Sequence, residues 1–410
     1  MGCCSHFNFL FLCFLLIFSN IISTSIAKKS SSSSHPHVKT LVLPVTKVHS
    51  NFGPDQYVTE IKKKTPLLPI KVSIDISLDK PFLYCERSYV RYTYKPINCS
   101  SPLCSFANYP LNPCYSDNTC ASYTYNNIGD RYASGQLIQD IVTVKSIDGR
   151  SVSVPNFIFV CSIETFSLGG LASGVKGKFA ICLSPFESSN GSIFIGNGPY
   201  VLQPGNIDVS KFLTYTTFIT NYYYREFYLL LKAIKVDGKL VPSDTWKYKL
   251  TFNYDKSDIN GGTKIGTVYP YTVMDSVILS SVVDEFVKAL GKNIPRVANV
   301  TPFDVCFNST GIARTHLGPA VPTIELVFNN NAVWKIYGAN SMVEVSKDVM
   351  CLAFVSKKGG FWSRATVEIG GYQLEDNLVQ FDLDNHRVGF SSSLLSKRTS
   401  CSNFKYTNHA

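Results

Sequence analysis

Residues 367–383 read VEIGGYQLEDNLVQFDL, and residues 388–392 read VGFSS. Short runs of β-branched, aromatic and aliphatic residues alternate here with glycine, asparagine and aspartate. Such runs favour extended backbone, whereas glycine and asparagine favour turns between them. This part of the sequence therefore predicts short strands that are joined by tight turns.

The preceding sequence repeats this pattern. The same strand signature is present in residues 67–75, 138–144, 152–160 and 227–236. One helix is predicted over residues 276–290, because apolar residues recur there at helical spacing and Asp275 precedes them as an N-cap. The chain is therefore predicted to be all-β, with few helices and with two lobes that meet near residues 220–226.

Composition excludes several classes of protein. The 410 residues are 45% hydrophobic and 17% charged. These fractions, without a fibrous repeat, exclude a disordered chain, a collagen and a coiled coil. The formal net charge of +10 favours acidic partners. Because the basic residues are scattered along the chain, no nucleic-acid partner is predicted.

The amino-terminal segment predicts export. Residues 1–27 contain no Lys, Arg, Asp or Glu, and they hold a short apolar run followed by Ser25-Ile26-Ala27. This pattern predicts a secretory signal peptide that is cleaved after Ala27. Residues 28–37 are polar and of low complexity, which predicts a flexible arm. No other run approaches the ~20 apolar residues of a membrane span, so we expect a secreted chain without a membrane anchor.

The cysteines predict disulfides. Of 13 cysteines, an even set remains after the predicted cleavage, and the cluster from Cys85 to Cys120 indicates a stapled, loop-rich region. No Cys-x-x-Cys pair occurs, so neither a zinc site nor another metal site is predicted, and no cofactor is predicted. Four sequons are candidate glycosylation sites of an extracellular glycoprotein: Asn98, Asn190, Asn299 and Asn308.

Residues 367–383 and 388–392 strongly resemble the last strands of pepsin-like aspartic proteases. More narrowly, they resemble the plant secreted branch that contains xylanase inhibitors, xyloglucanase inhibitors, extracellular dermal glycoproteins and basic 7S globulins. Further blocks of the same branch occur in order at residues 171–175, 263–265, 270–273, 317–322, 340–343 and 399–404. The resemblance implies a bilobal fold of two β-barrel-like lobes, residues 38–222 and 223–410.

One departure from the family concerns the amino-terminal lobe. Residues 171–175 run directly into residues 176–182, whereas relatives carry an inserted segment between these blocks. The resemblance therefore implies a shortened amino-terminal lobe, either in the protein itself or through a truncated gene model.

The resemblance also bears on catalysis. Aspartic proteolysis needs two Asp side chains that share one proton and hold a water between them. The first of the family's two turns aligns with residues 74–77, which keep Asp75, and the second aligns with residues 264–268, where Gly266 takes the place of the second Asp. Asp275 is interpreted as a helix cap. The resemblance thus implies a catalytically inactive homologue.

A residual aspartic endopeptidase that uses Asp75 with Asp275 or another acid is the alternative. The substrate-covering flap of such enzymes is only loosely matched by Tyr123, Tyr125 and residues 129–130. A serine triad is not predicted, because no Gly-x-Ser-x-Gly elbow occurs.

Several members of the resembled branch inhibit microbial glycoside hydrolases by inserting loops into the enzyme's carboxylate-lined cleft. Carried over by position, these loops fall on residues 315–319 and 396–401, with His316, Lys397 and Arg398 as the contact residues. The resemblance implies a defence protein whose partner is a microbial endoglucanase or xylanase, and a disulfide between Cys306 and Cys351. A storage or ligand-binding protein like the basic 7S globulins is a further alternative.

Overall fold

The β-branched and aromatic runs form strands in the computed structural model of the chain. The structure describes residues 41–49, 55–63, 67–76, 81–85, 93–108, 113–126, 131–162, 168–169, 177–220, 226–251, 261–357 and 365–404. The predicted signal peptide and flexible arm lie outside these residues. Residues 40–410 form one compact unit, so the division into lobes at residue 222 stays a prediction.

Strands dominate the described residues, as the all-β prediction requires. The first thirteen are β1 (Leu41–Val48), β2 (Gln56–Lys63), β3 (Leu68–Asp75), β4 (Phe82–Tyr84), β5 (Lys95–Pro96), β6 (Ala121–Asn126), β7 (Arg131–Lys145), β8 (Ser151–Ser162), β9 (Leu168–Gly169), β10 (Lys178–Cys182), β11 (Gly191–Ile195), β12 (Val201–Leu202) and β13 (Ile207–Asp208).

The remaining strands are mostly short. They are β14 (Thr214–Thr220), β15 (Phe227–Leu229), β16 (Leu231–Val236), β17 (Lys239–Leu240), β18 (Thr263–Ile265), β19 (Thr272–Met274), β20 (Arg296–Val297), β21 (Cys306–Asn308), β22 (Arg314–Thr315), β23 (Gly318–Pro319), β24 (Ile324–Phe328), β25 (Val333–Ile336), β26 (Met342–Ser346), β27 (Val349–Leu352), β28 (Phe354–Ser356), β29 (Val367–Ile369), β30 (Asn377–Asp382) and β31 (Arg387–Ser393).

The helices are few. The described α-helices are α1 (Pro102–Asn108), α2 (Ser276–Leu290), α3 (Gly338–Ser341) and α4 (Gly371–Leu374), and short 3-10 helices follow at Val209–Phe212, Lys247–Leu250, Leu394–Lys397 and Cys401–Asn403. The sequence prediction of α2 is confirmed, with Asp275 as its N-cap and Phe286 fully buried. None of the described helices is long and apolar enough to cross a membrane.

A six-stranded antiparallel sheet joins strands from distant parts of the chain. Its order is β1-β11-β10-β30-β31-β14. Strand β10 lies directly beside β30, and there the rings of Phe179 and Phe381 stack with their centroids 4.8 Å apart. Residues 377–382 and 388–392 of the opening stretch thus lie on β30 and β31, in a sheet that also contains β1, β10, β11 and β14.

Each of the other sheets is built from strands of one part of the chain, either the amino-terminal or the carboxyl-terminal part. Strands β2, β3, β6, β7 and β8 form antiparallel neighbours in the amino-terminal part, and β4 and β9 add parallel pairs. In the carboxyl-terminal part, β15, β18, β29, β19 and β28 form one sheet, and two four-stranded sheets run in the orders β17-β16-β24-β25 and β20-β21-β27-β26. The ends of β3 and β18 lie at the candidate site.

Five disulfides connect these sheets and loops. They are Cys85–Cys161, Cys99–Cys114, Cys104–Cys120, Cys182–Cys401 and Cys306–Cys351. All the cysteines beyond residue 27 are therefore paired, which leaves no thiolate for a zinc site.

Candidate functional site

Asp75 is the last residue of β3, and its turn is buried. Ile74, Asp75 and Ile76 are each 2–3% exposed. Strand β9 pairs with this end of β3 in parallel, with Gly169 opposite Asp75. The residue after Asp75 is Ile76, whose side chain is a hydrocarbon without a hydroxyl.

A second turn, at the end of β18, lies against the first. The hydroxyl of Thr267 donates a hydrogen bond to the backbone oxygen of Ile74 at 2.5 Å and accepts one from the backbone N–H of Ile76 at 3.3 Å. The Thr267 hydroxyl therefore braces the Asp75 turn. Gly266 directly precedes Thr267 in the chain, as Asp75 directly precedes Ile76.

The space beside Gly266 is filled by another acid. A Cβ atom added at Gly266 would overlap Oε1 of Glu368 and lie 3.2 Å from its Cδ. Glu368 is fully buried on β29, which pairs in parallel with β18 and places Glu368 opposite Lys264. Gly266 is not among the residues with positive φ, so close packing by Glu368 rather than backbone conformation favours glycine here.

Lys264 neutralises this buried acid. Its ammonium lies 3.0 Å from Oε1 of Glu226 and 3.4 Å from Oε2 of Glu368, and Tyr228 donates its hydroxyl to Glu226 at 2.7 Å. Burial disfavours the charged lysine, but the carboxylates of Glu226 and Glu368 raise the pKa of Lys264 well above its usual value. Lys264, Glu226 and Glu368 form what we call the buried ion cluster.

A small void borders the buried ion cluster. The cavity has a volume of about 10 Å³ and is lined by Ile76, Glu226, Phe227, Leu229, Lys264, Ile265 and Phe381. Such a volume suits one water molecule and not a peptide.

The structure places Asp275 in a structural role. Its Oδ1 accepts the backbone N–H of Val277 at 3.0 Å, and its Oδ2 lies 2.8 Å from the ammonium of Lys249. Both carboxylate oxygens of this helix cap are therefore engaged. Of the flap residues, Tyr123 is 55% exposed on β6, whereas residues 129–130 and the side chain of Tyr125 lie outside the described part.

The first of the two predicted contact loops is a tight hairpin between β22 and β23. His316 is exposed at its tip. Thr315 closes the hairpin, because its hydroxyl donates to the oxygen of Gly318 at 2.9 Å and accepts the N–H of Leu317 at 3.1 Å. Gly318 has a φ of +88°, and a Cβ there would also overlap the backbone of Ala339.

The second contact loop carries Lys397 and Arg398, and both side chains are exposed. The ammonium of Lys397 lies 5.0 Å from the ring centroid of Phe212, at cation–π distance. Arg398 ends a 3-10 helix in the left-handed conformation, and its N–H donates to Leu395 at 2.9 Å. Within the described residues its guanidinium makes no ion pair, and the Cys182–Cys401 bond anchors the loop three residues later.

The two contact loops border one cleft. Its volume is about 350 Å³, and its lining includes Gly318 and Pro319 of the first loop, Ser400 of the second, and the adjacent residues Arg314 and Leu395. Sequence reasoning named both loops but missed the cleft, as it missed the buried ion cluster. No local sequence signal could have found either one, because each unites residues that are far apart in the chain.

The candidate glycosylation sites are at or near the surface. Asn98, Asn190 and Asn299 are exposed, and Asn308 is half-buried. The hydroxyls of Ser100 and Thr310 donate to the side-chain oxygens of Asn98 and Asn308 at 2.6 Å.

Comparison with known proteins gives matches along the whole chain. A family model described as xylanase inhibitor N-terminal matches residues 57–177, and one described as xylanase inhibitor C-terminal matches residues 226–392. The chain is 39% identical to the probable aspartic proteinase GIP2 of Nicotiana benthamiana, over 100% of this chain and 99% of that protein. That alignment runs over 457 positions, so the relative carries residues that these 410 lack.

Two solved structures are similar in sequence and fold. The crystal structure of edgp has a TM-score of 0.79 and 37% identity, with 90% of this chain and 98% of that chain covered. The crystal structure of conglutin gamma, a basic 7S globulin from lupine seeds, has a TM-score of 0.71 and 30% identity, with 90% and 99% covered. The all-β architecture and its connections are therefore shared over nearly the whole length of these proteins.

Proposed function

Because this chain belongs to the xylanase inhibitor family, whose fold is that of the pepsin-like aspartic proteases, we propose that it binds and blocks a microbial glycoside hydrolase. In this proposal the protein is secreted, acts in the cell wall in plant defence, and does not cleave peptides. The partner is an endoglucanase or a xylanase.

The loss of catalysis is part of this proposal and rests on the alignment of Gly266 with the family's second Asp. Thr267, the residue next to Gly266, braces the Asp75 turn, and this contact supports that alignment. The neighbouring acid, Glu368, is fully buried beside Lys264. A carboxylate held by an ammonium in this way is a poor candidate for sharing a proton with Asp75.

The observation that carries the inhibitory role is the exposed Arg398 on a rigid loop. Its backbone is fixed by the helix cap and by the disulfide at Cys401, while its guanidinium is free of ion pairs within the described residues. Glycosidase clefts present two carboxylates, and a guanidinium can bind a carboxylate through two parallel hydrogen bonds. A preorganised loop loses little conformational entropy on binding. Lys397 and His316 are the proposed neighbouring contacts.

An inhibition titration tests this function. Purified mature protein is titrated against a xyloglucan-specific endoglucanase and a xylanase, and we expect loss of hydrolysis of one of them at equimolar protein. Full activity of both enzymes at micromolar concentrations of the protein would contradict the proposal.

Arg398→Ala is expected to weaken inhibition by about 2 kcal/mol or more, because it removes a charge from a desolvated pair. The inhibition constants of variant and parent measure this effect. Arg296→Ala is the matched control, since Arg296 is also exposed but lies on β20, the edge strand of another sheet. Equal inhibition by the Arg398 and Arg296 variants would remove Arg398 from the interface.

A seed storage or ligand-binding role is the second candidate, and the similarity to conglutin gamma from lupine seeds favours it. Bulk accumulation in seed without binding to either glycosidase would support it.

Residual endopeptidase activity is the third candidate function. Incubation with denatured protein at acidic pH tests that alternative, and cleavage that disappears in Asp75→Asn would establish it.

Glycosylation accompanies export in this proposal. Asn98, Asn190 and Asn299 are exposed and are the proposed attachment sites, with half-buried Asn308 as a fourth. Peptide mapping of protein from a plant secretory host, before and after removal of N-glycans, reports their occupancy.

A further inference from the structure

The cleft between the two contact loops has the size and lining of a binding site. Its volume of about 350 Å³ falls in the range of small-molecule sites. Met342, Met350, Leu395 and Pro319 form apolar walls, and Phe186 stands at its edge with 63% of its surface exposed. These walls suit a hydrocarbon chain.

Most charged side chains of the cleft already have a partner of opposite charge. Glu375 accepts a hydrogen bond from the ammonium of Lys47 at 2.7 Å and another from the hydroxyl of Tyr57 at 2.7 Å. Arg314 forms an ion pair with Glu344. The two acids and two bases of these pairs add no net charge to the site.

Asp376 is the exception. It is 5% exposed, and its Oδ1 accepts the backbone N–H of Cys401 at 2.8 Å. No cation reaches its carboxylate from the described residues, and Oδ2 has no hydrogen-bond donor among them. Burial raises the pKa of Asp376 to about 6, so the carboxylate is ionised at neutral pH. The cleft therefore holds one carboxylate, that of Asp376, without a cationic partner among the described residues, and apolar side chains line the cleft around it.

We propose that this cleft binds an alkyl cation, namely the side chain of an arginine or a lysine that a partner protein presents. The methylene groups of such a side chain pack on the methionine and leucine walls, and its charged end pairs with Asp376. Pairing also removes the energetic penalty of an unpaired buried charge.

This site is separate from the proposed contact residues. Arg398 and His316 are exposed residues of the two loops and are not among the residues that line the cleft, whereas the alkyl cation enters between the loops. The inference does not require the partner to be a glycosidase. Its test uses small probes, so a negative result here leaves the inhibition assay unaffected, and a protein that inhibits no glycosidase can still bind the probe.

The probe is Nα-acetyl-arginine amide, and the matched neutral probe is Nα-acetyl-citrulline amide, which replaces the guanidinium by a urea of the same shape. Binding to the full mature protein is measured by calorimetry at pH 7.5. We expect saturable binding of the arginine probe. The affinity of the citrulline probe should be lower by roughly tenfold or more, because it cannot form the charge-assisted hydrogen bond. Equal affinities, or no saturation of the arginine probe at millimolar concentration, would overturn the proposal.

Asp376→Asn is the decisive variant. Its amide oxygen can still accept the N–H of Cys401, so we expect a folded protein that has lost about tenfold or more in affinity for the arginine probe. Asp384→Asn serves as the control, because Asp384 is exposed and lies outside the cleft lining. The proposal fails if these two variants bind the arginine probe equally well.

The pH dependence supplies a second measurement on the unmodified protein. Asp376 is protonated below its raised pKa, so affinity for the arginine probe is expected to fall between pH 7.5 and pH 5. Arg314, Glu344, Tyr372 and Glu375 also line the cleft, and Lys47 and Tyr57 contact Glu375. If Glu375 rather than Asp376 titrates, the same fall persists in Asp376→Asn, and that outcome would contradict the assignment.

Discussion

Replacing Lys264 by methionine is expected to lower the free energy of unfolding by about 3–5 kcal/mol, the cost of removing one partner from a buried ion pair. Methionine keeps a linear apolar side chain but no charge. Glu226 and fully buried Glu368 would then face each other without the ammonium that lies 3.0 Å and 3.4 Å from them. Denaturation in urea at pH 7, followed by fluorescence, measures the change.

Two further variants test whether the loss of stability in Lys264→Met comes from the unpaired carboxylates. Lys292→Met changes an exposed lysine just beyond α2 and should alter stability by less than about 0.5 kcal/mol. In the triple variant Lys264→Met, Glu226→Gln, Glu368→Gln, all three charges are absent, so much of the lost stability should return. If Lys264→Met is as stable as Lys292→Met, the buried ion cluster does not contribute to folding as described.

Placing an acid at position 266 is expected to destabilise the fold without creating a protease. Gly266→Asp adds a Cβ where Oε1 of Glu368 already lies, and it brings a further carboxylate to a buried site. Overpacking alone typically costs about 1–3 kcal/mol, and the added charge increases the penalty. We expect a loss of about 3 kcal/mol or more and no cleavage of denatured protein at acidic pH.

The double variant Gly266→Asp, Glu368→Ala tests whether the loss of stability comes from the steric overlap, because it keeps the number of carboxylates unchanged. It removes the overlapping side chain and moves the carboxylate from residue 368 to residue 266. We expect the double variant to be more stable than the sum of the two single changes predicts, with a favourable coupling energy of about 1–3 kcal/mol in a double-mutant cycle. Purely additive effects would mean that Glu368 does not occupy the space beside Gly266.

Local sequence signals predicted local structure well. The helical spacing of apolar residues after Asp275 gave α2 its observed bounds, because its cap and buried face are encoded within 16 adjacent residues. The predicted strand over residues 227–236 is instead two strands, since β15 pairs with β14 and β18 while β16 pairs with β17 and β24. That break depends on which strands become neighbours.

Long-range contacts explain what the sequence did not reveal. Lys264 and Glu368 meet only because β18 and β29 pair in parallel with a defined register. Likewise, Asp376 becomes a buried acid beside the cleft only when the loop at Cys401 returns to it. Glu368 and Asp376 both lie in the opening stretch 367–383, but composition and spacing there could not distinguish them from ordinary surface acids.

The family resemblance supplied the global fold, which periodicity alone could not. The prediction of a shortened amino-terminal lobe concerns residues 171–176, which lie outside the described part of the chain. The alignment with the Nicotiana relative runs over 457 positions, so that relative contains residues without a counterpart among these 410.

The Cys182–Cys401 bond has a consequence for a protein that meets proteases. It spans 219 positions of the chain, so one backbone cut anywhere between these cysteines leaves both fragments covalently attached. Strand β10 beside β30 and strand β14 beside β31 would also remain hydrogen-bonded across many such cuts. A nicked molecule would therefore migrate as one species until reduced, and it would keep its second contact loop in place.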